Sequence, residues 1–143
     1  RGTAVIDTLG VPAAALALAH DGRAYAVATL DGRVRLVDRA RGTLLATYAG
    51  AAIARYAVQC AFAPDDALVV AGSEDGALLA WDLVSARVLC RVRPPPVSAA
   101  SSLASPSSVP VPLCALSVHP ARLEVLTGSH DGAVRVWRVR DSD

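Results

Sequence analysis

Methionine is absent from this 143-residue sequence, phenylalanine occurs once, and Phe, Trp and Tyr together make up 4% of it. So few rings leave too little material for a stacking platform for single-stranded nucleic acid. No apolar run approaches the ~18 residues of a membrane helix. The most apolar stretch, Val11 to Ala19, is short and rich in alanine. No charged, apolar and small-residue pattern of a signal peptide follows Arg1. With no Met even at position 1, the sequence reads as a piece of a longer chain.

Cysteine is scarce as well. Cys60, Cys90 and Cys114 are odd in number and widely spaced. That predicts reduced thiols inside the cell rather than a disulfide framework. Cys60 and Cys114 are expected on buried strands, as small apolar residues. No excess of one charge is present: 14 basic and 13 acidic residues leave +1. Such a balance provides no global field for nucleic acid or acidic lipid. The arginines alternate with apolar residues and read as solvated strand faces. No Gly-x-Ser-x-Gly, phosphate-binding glycine loop or His-Glu-x-x-His occurs. His20, His119 and His130 have no cysteine at zinc-site spacing. The expectation is a non-enzyme with no catalytic residue, metal or cofactor, and no small-molecule substrate, nucleic acid or membrane as partner.

What is present is a repeated turn. Ser73-Glu74-Asp75-Gly76 leads into Ala77 to Asp82, a strand that closes on Trp81-Asp82. Gly after Asp accepts the positive φ of a two-residue hairpin turn. The same plan appears at Asp31-Gly32, running to Val37-Asp38, and at Asp131-Gly132, running to Trp137-Arg138. Thirteen residues before each Asp stands an apolar residue: Leu18, Phe62 and Val118. The three units therefore share strand, turn, strand, Asp-Gly turn, strand. Asp31 and Asp75 are 44 residues apart, within the ~40–45 of WD-type blades. Asp75 and Asp131 are 56 apart, and the Ser- and Pro-rich stretch 93–112 accounts for the excess. That stretch is expected to be a flexible loop. Its Ser105-Pro106 is the minimal form for a proline-directed kinase, so Ser105 is a candidate phosphorylation site.

The units resemble WD40 repeats. A closer likeness is to the mitogen-activated protein kinase organizer family of WD-repeat scaffolds, on Thr29 to Asp38, Gly42 to Tyr48, Ser73 to Val84, His119-Pro120 and Trp137. Gly50-Ala51 departs from the usual Gly-His of such repeats, and Trp137-Arg138 from Trp-Asp. The resemblance implies an all-β, WD40-type β-propeller: about three four-stranded antiparallel blades of a seven-bladed ring. An outer strand is expected at 3–9, blades at 13–48, 58–92 and 113–140, and the inserted loop at 93–112. It also implies a blade motif of structural residues: Asp31, Asp75, Trp81, Asp82, Thr127, Asp131 and Trp137. Such motifs link Trp, a Ser or Thr, the turn Asp and a His. The third unit has Thr127, Asp131 and Trp137 but no His. In the second, Ala71 replaces the hydroxyl. In the first, Val27 and Val37 leave only Asp31. The implied function is a protein–protein interaction scaffold for kinase-cascade components. The alternative is a subunit of a spliceosomal complex. The expected location is cytoplasmic, nuclear or both.

Overall fold

The computed structural model describes residues 7–94 and 110–138. Ser105 and most of the expected strand at 3–9 lie outside them, and Asp7 to Leu9 are not in a strand. Among the described residues there are eleven strands and no helix. β1 (Ala13–Leu18), β2 (Ala24–Thr29), β3 (Arg33–Asp38) and β4 (Leu44–Tyr48) form one antiparallel meander. β5 (Cys60–Phe62), β6 (Leu68–Gly72), β7 (Leu78–Asp82) and β8 (Val88–Val92) form the second. β9 (Leu113–Val118), β10 (Glu124–Ser129) and β11 (Val134–Arg138) form the third, with β10 central.

Period-2 alternation explains how the sheets stack. In sheet 1, Ala26, Ala28, Val34 and Leu36 point at sheet 2 and are buried. They meet Cys60, Phe62, Val69, Ala71, Leu79 and Trp81 in one core cluster. Sheet 2 presents its opposite face, with Leu78 and Val92, to Leu113, Val125 and Trp137 of sheet 3. The two outermost faces carry exposed apolar side chains, although Val27 and Val37 on the outer face of sheet 1 are buried. Leu16, Leu18 and Leu44 are exposed on sheet 1, and Leu126, Val134 and Val136 on sheet 3.

β5 begins only at Cys60, because Gln59 turns its backbone to sheet 3 and donates its N–H to the Cys114 carbonyl at 3.1 Å. The Asp-Gly turns also differ from a two-residue hairpin. The N–H of Gly32, Gly76 and Gly132 bonds the carbonyl of Thr29, Ser73 and Ser129, at 3.1, 3.0 and 3.0 Å. Positive φ falls on the glycine alone, at 84°, 82° and 80°. Each is thus a four-residue turn with Asp third and Gly fourth, closed by a left-handed residue.

Candidate functional site

All three Asp-Gly turns lie at the same end of the stacked sheets, since every sheet runs up on its even strands and down on its odd ones. At this end the first turn is wired by side chains. The Thr29 hydroxyl donates to Asp31 Oδ1 at 2.6 Å, and Arg35 clasps both carboxylate oxygens at 2.6 and 3.0 Å. The third turn repeats this with Ser129 and Arg135, the latter 3.2 Å from Asp131 Oδ2. The bidentate Arg35–Asp31 pair fixes geometry as well as charge, while Arg135 divides its nitrogens between Asp131 and Ser129. The Arg35 guanidinium and then the Thr29 hydroxyl hold Asp31 far below the ordinary carboxylate range. The Ser129 hydroxyl, the Ala133 N–H and Arg135 hold Asp131 down to about 2, against a smaller opposing push from burial.

Sheet 2 solves the same problem differently. Its counterpart of Arg35 is Leu79, which is buried in the core. Leu79 pairs in register with Arg91 on β8, and Arg91 and Arg93 both reach Asp75 Oδ2, Arg93 at 3.1 Å. Burial pushes the Asp75 carboxyl up, but Ser73, the Ala77 N–H and the two arginines outweigh it and hold it down. The arginines at 35, 91 and 135 are therefore not merely solvated, contrary to the sequence expectation. They neutralise the turn aspartates.

The expected Trp–hydroxyl–Asp network is split in two. Trp137 Nε1 donates to Thr127 Oγ1 at 2.8 Å, while Asp131 bonds Ser129 instead. Trp81, facing Ala71 with no hydroxyl, sends its N–H across the sheet boundary to the Ala49 carbonyl at 2.8 Å. Asp82 works at the other end, where it accepts from the Ser85 N–H and hydroxyl, both at 2.7 Å. Those two bonds, backbone first, lower its carboxyl. The hydroxyl two residues before each turn Asp is the signal the sequence reading passed over: Thr29, Ser73 and Ser129.

The connection from Gly50 to Gln59 shows no sequence pattern but is tightly held. Ser73 Oγ accepts from the Ala52 N–H at 2.8 Å. Glu74 Oε1 accepts three successive backbone N–H groups, from Ala54, Arg55 and Tyr56, at 2.6, 2.5 and 2.9 Å. Burial raises the Glu74 carboxyl, but these three donors outweigh it and leave it lowered. So pinned, Tyr56 sets its ring edge-on to His130 of the third turn, with centroids 5.0 Å apart. Cys114 Sγ lies 3.4 Å from His130 Nε2 and is partly exposed rather than buried as expected. Burial, and then the Glu74 charge, push its thiol up, so it is a poor nucleophile. Cys60 is buried as expected and its thiol is pushed up to about 11, by burial. Among the described residues no group of His, Cys, Asp and Glu is placed to hold a metal ion.

The profile of the family described as "WD domain, G-beta repeat" matches residues 42–82 and 102–138. The chain belongs to the WD40 repeat family. Both matched stretches end with the third strand of a sheet, and the first opens with β4 of the sheet before it. The WD40 sequence repeat is thus offset by one strand from the structural blade. Sheet 1 has the same four-stranded order as sheet 2, although β1 to β3 lie outside the matched residues. The all-β architecture is that of WD40 propeller blades. Among curated proteins, the chain is similar to WD repeat domain-containing protein 83 of Danio rerio, 30% identical over 142 residues, covering 99% of this chain and 40% of that protein. The Homo sapiens protein of the same name is 33% identical over 132 residues, covering 92% and 37%. The pre-rRNA-processing protein IPI3 of Mycosarcoma maydis is 29% identical over 139 residues, covering 87% and 22%. The chain spans about 40% or less of the length of these relatives. WD40 repeat domains generally act as non-catalytic platforms for protein–protein interaction.

Proposed function

We propose that this chain contributes blades to a non-catalytic scaffold that organises kinase-cascade components in signalling, working in the cytoplasm, the nucleus or both. The observation that carries the scaffold reading is the turn end. Its aspartates are consumed by arginines and hydroxyls, its loop 50–59 is pinned by Ser73 and Glu74, and the Cys114 thiol there is pushed up rather than activated. Rigid loops on a stacked-sheet support are suited to holding partner surfaces. The kinase-cascade part rests on the resemblance to the organizer family. A second reading is a structural subunit of a spliceosomal complex; the likeness to a pre-rRNA-processing protein supports only its general kind, a place in RNA-processing machinery.

Affinity purification of the full-length protein, followed by mass spectrometry, separates them. Kinase-cascade proteins without splicing factors are expected. Recovery of core splicing proteins instead would replace the first reading with the second.

A further inference from the structure

The turn Ser73–Gly76 carries two neighbouring carboxylates, Glu74 and Asp75, and each is already spent. Glu74 is taken by the backbone of 54–56, and Asp75 by Arg91. Around them stand more cations than they neutralise. Arg93 shares Asp75 with Arg91, and its side chain is 61% exposed. The Arg55 side chain is exposed, and among the described residues no carboxylate lies within ion-pair distance of it. Next to Arg55 in the chain, the exposed ring of Tyr56 is in edge contact with the exposed ring of His130 of the third turn. The opposite end of the same sheets has no such excess: Asp21, Asp38, Asp65, Asp66, Asp82 and Glu124 are matched there by Arg23, Arg39, Arg41, Arg87, Arg122 and Arg138.

We infer that Arg55, Tyr56, Arg93 and His130 form a docking patch for an acidic extended segment of a partner protein. The inference rests on the scaffold reading and adds the chemistry of the partner. Charge complementarity selects the occupant: carboxylates of the segment pair with Arg55 and Arg93, and its backbone or an apolar side chain lies on the Tyr56–His130 rings. Tyr and Arg are the residue types enriched where binding energy concentrates. The patch is preformed, because the three N–H bonds to Glu74 fix the backbone that carries Arg55 and Tyr56. Little backbone ordering entropy is left to lose there on binding. Glu74 is a positioning residue for this site rather than a contact.

Fluorescence anisotropy with the full-length protein tests the patch, using a labelled peptide of alternating Glu and Ser as probe. Binding is expected to weaken about threefold for Arg55→Ala or Arg93→Ala and about tenfold for both, the range of exposed ion pairs. It is also expected to weaken as salt rises. Arg39→Ala, at the opposite end, leaves it unchanged. Glu74→Ala gives the sharpest discrimination. Removing a negative charge alone would tighten an acidic probe, whereas loss of the pinned backbone weakens it; weakening is expected. All of these substitutions except Glu74→Ala are at exposed side chains, and circular dichroism of each variant checks its fold. The inference is overturned if a Lys-Ser peptide binds equally well, if Arg39→Ala costs as much as Arg55→Ala, or if oligo-dT displaces the probe and binds more tightly. If purified protein partners keep their affinity for the Arg55→Ala, Arg93→Ala variant, the scaffold reading stands and this patch is refuted.

Discussion

The boundary between sheets 1 and 2 and the boundary between sheets 2 and 3 are built from aligned positions, yet they differ in kind. At the first, Tyr48 and Trp81 pack with ring centroids 5.9 Å apart, and both tips cross over: Tyr48 OH donates to the Leu83 carbonyl at 2.7 Å, Trp81 to Ala49. Burial, and then the charge of Asp82, raises the Tyr48 hydroxyl to about 12. At the far end His20 and Asp21 close on the Asp66 carboxylate, with His20 Nδ1 2.7 Å away. At the second boundary, Trp137 keeps its N–H within its own sheet, and the buried cluster is small. A groove of about 440 Å³ runs there between Leu68, Val70, Leu89 and Cys90 on one side and Val125 and Trp137 on the other. Pro64 and Arg122 stand where a second His–Asp clasp would need its partners. One boundary is a continuous core with polar ties from its aromatic rings and a His–Asp clasp, and the other is held by backbone approach and by the Gln59 amide, whose Oε1 accepts from the Leu116 N–H at 2.7 Å.

The largest difference is expected between the two tryptophans. Trp81→Ala removes a fully buried ring and leaves the Ala49 carbonyl without its donor, for a loss of about 3–5 kcal/mol. Trp137→Ala, at a partly exposed ring, is expected to cost about 2 kcal/mol. Urea unfolding of both variants measures the gap, and equal losses would erase the distinction between the boundaries. Gly72→Val attacks the second boundary alone. Any Cβ at Gly72 overlaps the Leu113 carbonyl oxygen, so the expected cost is about 1–3 kcal/mol. Hydrogen exchange should speed up in β9 to β11 and stay slow in β2 and β3. Tyr48→Phe keeps the ring packing and deletes only the tie to Leu83, for about 1 kcal/mol by the same unfolding assay.

The smallest expected effect is on acidification. Asp131 has a folded pKa of about 2, depressed below the usual carboxylate value near ~3.9. Its contribution is therefore present above about pH 4 and is lost as pH falls toward 2. Asp66 is likewise lowered, the N–H and ring of His20 outweighing burial. Unfolding followed between pH 5 and 2 should show a modest fall in stability, since both groups are largely solvent-screened. Asp131→Asn should flatten part of that slope.

Strands and turns were legible because they are local. Alternation sets which side chain faces which way, and Asp-Gly marks where φ turns positive, at 84°, 82° and 80° on Gly32, Gly76 and Gly132. The site was legible only in part. Thr29, Ser73 and Ser129 were visible at a constant offset, and Arg35 and Arg135 at another, but nothing in the sequence joins hydroxyl, carboxylate and guanidinium. Of the Trp-centred network expected around Thr127, the Trp137–Thr127 bond is present but Asp131 is not joined to it, for a geometric reason: Asp131 sits third in a four-residue turn, where its carboxylate folds back onto Ser129.

The sequence by itself determined three repeated units, their strands and the near-neutral charge, because each depends on residue type and short-range spacing. Only the tertiary structure decided that Arg91 and Arg93 serve Asp75 and that Glu74 pins the backbone of 54–56. Those pairings join residues 16 to 20 positions apart. They exist only because antiparallel register brings the ends of β6 and β8 and the loop before β5 to the same edge.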